Sequence, residues 1–181
     1  MAAIVVIVLI LAGALGIYIS TRPGQFRIER STSIDATPVR VFGLIDDFEA
    51  WRQWSPWEAK DPAMKREHSG APRGVGSIYA WDGNKAVGKG RMEIVESAPP
   101  VRLAIQLDFF TPFEAHNRAE FTLVPEGHGT RVHWVMTGPA NVMTKIMVAT
   151  GAMERMVGPD FEHGLVRLKA LAEQKSIPST P

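Results

Sequence analysis

The sequence predicts an α+β domain, a seven-stranded antiparallel sheet curved around a long C-terminal helix, preceded by an N-terminal transmembrane helix. Three observations predict it: an uncharged apolar run at the start, a series of short β-patterned runs separated by turn residues, and a helical apolar stripe near the end. The 181 residues allow one core of ordinary size. At 45% hydrophobic and 22% charged the composition is that of a folded domain, far from the charged, apolar-poor corner where chains stay disordered. Twenty basic and 19 acidic residues give no field that would attract nucleic acid. With no cysteine, neither disulfides nor thiolate chemistry can contribute.

Residues 1–20 are read as the anchor. From Ala2 to Ile19 no charge interrupts the chain, about 27 Å of helix at 1.5 Å per residue and close to the thickness of a bilayer's hydrocarbon. Tyr18 falls where an interfacial aromatic is expected, and Arg22, Arg27 and Arg30 follow, which favours a single-pass protein with a cytoplasmic globular domain. A cleaved signal peptide, leaving a secreted or periplasmic product, is the alternative. It lacks the basic residues that normally precede such a run.

Residues 21–25 form a linker, broken by Pro23 and Gly24, and the globular domain spans 26–174. Residues 26–34 alternate as a first strand. Thr37 caps a short helix over 39–45, with Pro38 at its first position. Phe48, Trp51, Trp54 and Trp57 then recur every third residue, on short helical turns. Six further strands follow at 64–69, 77–81, 89–97, 101–109, 113–124 and 130–137, joined by turns rich in Gly, Pro and Asn. Glycines at 74–76 and 88–90 read as kinks or bulges that let the sheet curve. Helices are expected over 142–157 and 159–173. The second carries a stripe of Phe161, Gly164, Leu165, Leu168, Leu171 and Ala172 that should lie on the sheet. The tail, 175–181, has no apolar periodicity and is expected to be disordered.

Several segments together resemble one family. They are ERSTSIDATPVRVF at 29–42, FEAWRQWSPW at 48–57, GVGSIYAW at 74–81, GKGRM at 88–92, TRVHW at 130–134 and MVGPDFEHGL at 156–165. In order and spacing they are similar to the polyketide cyclase/dehydrase group of the START-like (SRPBCC, helix-grip) superfamily. The resemblance implies a long helix gripping a curved sheet around a hydrophobic cavity, used by different members for lipids, hormones, polyketides or chaperone clients. Fold fixes the cavity and not its cargo.

The expected function is therefore a membrane-anchored domain that binds or transports a small hydrophobic molecule, lipid or polyketide-like. Candidate lining residues are Trp54, Trp57, Tyr79, Trp81, Met92, Leu107, Phe109, Asn117, Trp134, Met147 and Phe161. Five tryptophans suit an apolar pocket that needs an occasional hydrogen bond, although filling the core is the commoner use for any one of them. Alternation puts Val132, Trp134 and Met136 on the interior face opposite Phe121 and Leu123. Arg118, Glu120, Arg131 and His133 fall outside, and Asn117 shares the inner parity. Methionines 143, 147, 153 and 156 suit a lid, a partner-binding face or plain packing.

Two other readings stay open. A cyclase- or dehydratase-type enzyme needs ionisable side chains facing the pocket, for which His68, Asp82, Glu114 and His163 are the candidates. A stress-related interaction module would work through an exposed apolar patch instead. No cofactor is expected, and the five histidines show no metal-ligand spacing. No catalytic residue is assigned, and no oligomeric state follows from the sequence.

Overall fold

A computed structural model describes residues 1, 4–7, 13, 16 and 21–174. Its sheet has seven strands: β1 (Gln25–Ile34), β2 (Lys65–Gly70), β3 (Ser77–Asp82), β4 (Lys89–Ala98), β5 (Arg102–Thr111), β6 (Ala115–Glu126) and β7 (Gly129–Pro139). Every pairing is antiparallel and the order is β1-β7-β6-β5-β4-β3-β2. Strands β2 to β7 form a meander, and β1 returns to the far edge beside β7. Between β1 and β2 lie α1 (Pro38–Ile45), α2 (Trp51–Trp54) and α3 (Pro56–Lys60). After β7 come α4 (Val142–Ala149) and α5 (Ala152–Glu173).

Local chemistry explains the short helices. Thr37 accepts a hydrogen bond from the Arg40 N–H at 3.4 Å and Pro38 supplies a preset φ, so α1 starts there and turns Val41, Phe42 and Ile45 inward. Ser55 ends α2 and precedes Pro56, the first residue of α3. The sheet curves with help from register shifts between β4 and β5, one at Lys89/Gly90 and one at Ile94/Glu96. At the first, Gly88 has φ +68°, and a side chain on Gly90 would run into the Trp81 ring.

The C-terminal helix differs from expectation in where it begins. Gly151, at φ +70°, separates α4 from α5, and α5 then runs through Pro159 without a break. Proline removes one backbone hydrogen bond there. Arg30, reaching over from β1, spans that turn by binding both Glu154 and Glu162, the latter at 2.7 Å. Gly158 provides the room, since a side chain there would meet the guanidinium. Arg30 thus belongs to the domain's inner face rather than to the flank of an anchor helix.

The transmembrane helix expected for residues 1–20 is corrected: among the described residues no helix is long and apolar enough to cross a membrane. Residues 4–7 are helical, and most of the rest of that run lies outside the described residues. The tail expected to be disordered, 175–181, lies outside them as well.

Candidate functional site: an aromatic cavity with one carboxylate

Alternation places side chains in rows across the inner face of the sheet. One row runs Trp81, Gly90, Phe109, and the next runs Tyr79, Met92, Leu107, Asn117. A third joins Ile94, Ile105, Ala119, Met136 and Ile28, and a fourth Leu103, Phe121, Trp134 and Arg30. Helix α5 crosses above β1 and packs on α2 and α3, turning Phe161, Gly164, Leu165 and Leu168 toward the sheet. Trp134 stacks on Phe161 at 4.1 Å and on Phe121 at 5.0 Å, with Trp51, Trp54 and Trp57 edge-on around it. Such offset and edge-on contacts are the favoured aromatic geometries.

Beside this stack the first three rows, the Trp51–Glu58 turn and Phe161 enclose a cavity. Its wall is made of Trp51, Ser55, Trp57, Glu58, Met64, Tyr79, Trp81, Val87, Met92, Ile105, Leu107, Phe109, Ala119, Trp134, Met136 and Phe161. The cavity itself is about 70 Å³, and the empty space counted out through its mouth to solvent is about 640 Å³. It is a narrow slot, smaller than the roughly 150 Å³ of an apolar cavity that holds benzene. A small residue helps make it: Ala119 occupies an inner-face position on the wall where a larger side chain would fill the space, while Gly90 makes room for the Trp81 ring.

The wall is apolar except at one spot. Tyr79 Oη donates to Glu58 Oε1 at 2.6 Å, and Arg66 grips Glu58 Oε2 through Nε at 2.8 Å and Nη2 at 2.7 Å. Arg66 also donates to the carbonyl of Met64 at 2.6 Å and to those of Pro62 and Asp61 at 3.3 Å, which fixes it behind the wall. Burial, then the hydrogen bond to Glu58 and its charge, push the Tyr79 phenol well above its ordinary range, so it stays protonated. Lys60 reaches Asp160 of α5 at 2.6 Å and holds α3 in place.

Of the expected lining residues, Trp57, Tyr79, Trp81, Met92, Leu107, Phe109, Trp134 and Phe161 border the cavity. Three do not. Trp54 is core, its Nε1 donating to the Leu44 carbonyl at 2.9 Å. Asn117 has the inner parity but is buried against Gly138. Met147 sits half-buried on α4, a helix without a single buried residue and with Val142, Met143 and Val148 exposed. His68, Asp82, Glu114 and His163 are all exposed and none borders the cavity, so no proton-transfer set can be built from them. Sequence reasoning misses Glu58. Its partners Arg66 and Tyr79 lie across a loop and a strand at no periodic spacing, and the one signal is its place on a short helix just after the tryptophan run. Other indoles are paired: Trp51 Nε1 donates to Ile45 at 2.9 Å and Trp81 Nε1 to Val87 at 3.3 Å. The Trp134 Nε1 is buried with no partner among the described residues.

A family profile described as polyketide cyclase / dehydrase and lipid transport matches residues 25–173. The chain belongs to that family. Among solved structures it is similar to protein CV1439 from Chromobacterium violaceum, at 18% identity over 84% of this chain and 100% of the other, with a TM-score of 0.58. The Aha1 dimer from Colwellia psychrerythraea matches at 16% identity over 82% and 97%, TM-score 0.57. The di-domain ARO/CYC BexL of the BE-7585A biosynthetic pathway matches at 15% identity over 88% of this chain and 54% of its own, TM-score 0.61. At these identities the likeness shows the shared fold alone. No curated protein matches the chain.

Proposed function

We propose that this domain binds a small, predominantly apolar molecule in the slot between the sheet and α5. One observation carries the reading: a gap in an otherwise stacked aromatic core, walled by side chains from five strands and three helices. A packed interior leaves few voids larger than a water molecule. The family description, which names both cyclases and lipid transport, supports the same class of ligand. Ligand pockets of drug-sized molecules span roughly 300–1,000 Å³. The slot as it stands is smaller than that, so even a one-ring guest requires Met64, Met92 and Met136 to change rotamer, which methionine does readily.

Native mass spectrometry of the purified chain tests this. A small-molecule adduct is expected on the natural protein and should be lost in Ala119→Leu, which fills the slot. An adduct unaffected by that substitution, or bare mass in both proteins, contradicts the proposal.

A cyclase-type reaction in the same cavity is the second reading. The Tyr79–Glu58 pair at the wall favours it, because a protonated phenol and a carboxylate are the two groups there able to hold or pass a proton. Binding is preferred because both are engaged with each other and with Arg66.

A further inference from the structure

The wall of the slot carries a single formally charged residue, Glu58, with a side chain only 9% exposed. How it is held decides what the slot can recognise. Arg66 lies behind it, bound to the Met64 carbonyl and to Oε2, so its guanidinium cannot swing into the cavity without breaking several hydrogen bonds. The Tyr79 proton is committed to Oε1. The Glu58–Tyr79 pair itself therefore offers lone pairs and no uncommitted proton: both carboxylate oxygens and the phenol oxygen accept. Ser55, buried and making no capping hydrogen bond, adds one hydroxyl nearby on the same wall.

An acceptor site inside an apolar slot is complemented by a guest that brings a donor. It is opposed by a guest that brings negative charge, since like charges in a water-poor site repel strongly. Resting on the binding reading above, we infer that the slot selects a neutral apolar molecule bearing a hydroxyl, which donates to the Glu58–Tyr79 pair, over the same molecule without the hydroxyl and over its carboxylate counterpart. The ligand class is thus a neutral alcohol or phenol rather than a fatty acid or another anion.

Isothermal titration of the full chain with toluene, p-cresol and 4-methylbenzoate tests the order. A hydrogen bond to a charged acceptor predicts p-cresol at least about tenfold tighter than toluene. 4-Methylbenzoate should bind more weakly than toluene. Glu58→Gln should bring 4-methylbenzoate up toward toluene while toluene itself is little changed. Should that variant fail to fold, Tyr79→Phe serves: it frees Oε1 for the guest, so the p-cresol preference should persist or widen. Toluene and p-cresol binding equally well would overturn the inference and leave the binding reading standing. Failure of all three to bind would overturn both. A preference for 4-methylbenzoate would overturn it too, and would point to the neighbouring hollow lined by Arg52, Arg66 and Arg167 as the site of an anionic head group.

Discussion

The space between sheet and helices has two ends built from similar residue types to opposite effect. At the Trp134 end the indole stacks on Phe161 and Phe121 and is ringed by Trp51, Trp54 and Trp57, with Leu103, Leu123, Val132 and Leu168 in the same buried core; one side of this stack also forms a wall of the slot. At the Trp81 end, Tyr79, Trp81, Phe109, Met92 and Leu107 stand around a slot instead of filling it. Aromatic content does not separate them. The difference lies in what sits opposite: bulky branched side chains at one end, Ala119 and pliable methionines at the other. Stability resides in the first and recognition in the second.

Substitutions should therefore behave differently at the two ends. The largest effect is expected for Trp134→Ala at the stacked end, with a loss of about 3–5 kcal/mol in urea unfolding. Next comes Gly164→Ala. A Cβ there would lie 2.8 Å from the Trp134 ring and 3.1 Å from Pro56, so about 1–3 kcal/mol should be lost as α5 is pushed off the stack. A loss as small as an ordinary surface change would show that the helix does not rest on that ring.

At the hollow end the sign reverses. Ala119→Leu should leave stability unchanged or raise it by about 0.5–2 kcal/mol, as cavity filling does, while abolishing binding of toluene. Loss of stability comparable to an overpacked core would erase the distinction between the two ends. Arg30→Ala tests the clamp across Pro159. With Glu154 and Glu162 more than half exposed, it should cost no more than about 1 kcal/mol, and less in high salt.

The smallest effect is a pH slope. Tyr79 has a folded-state pKa above the ordinary phenol value near 10, so the folded chain holds its proton more tightly than the unfolded one. Its contribution to stability is complete below pH 10 and is lost as pH climbs from there through the folded value. The only other tyrosine in the sequence is Tyr18, which precedes the first strand in the chain. Urea midpoints measured above pH 9 should thus fall more steeply in the natural protein than in Tyr79→Phe, and parallel slopes would contradict the buried pairing.

The stacked end is far more legible in the sequence than the hollow one. Period-two alternation by itself sorts Phe121, Leu123, Val132, Trp134 and Met136 inward, and the strands expected from turn residues match the observed ones to within two residues. Alternation reports a face, and it cannot report whether that face is filled. The slot depends on Gly90 lying beside Trp81 and Ala119 beside Ile105, facts of cross-strand register that no single segment contains. The same limit hides the Arg66–Glu58–Tyr79 chain and makes Asn117 look like a lining residue on parity alone. Helix boundaries fail for a different reason. Pro159 reads as a helix start because proline suits a first turn, but packing of Gly158 and Phe161, with the Arg30 clamp, carries α5 through it. The apolar run at 1–20 suggests a span on hydropathy and length alone, and no helix among the described residues meets the requirement of one.

The most direct test of the hollow end is a toluene titration of protein labelled with 13C at its methionine methyl groups. The account predicts saturable shifts at Met64, Met92 and Met136, which face the slot, and none at Met143 or Met147 on α4. Shifts confined to α4, or methyl groups of the slot that stay still at saturating toluene, would contradict it.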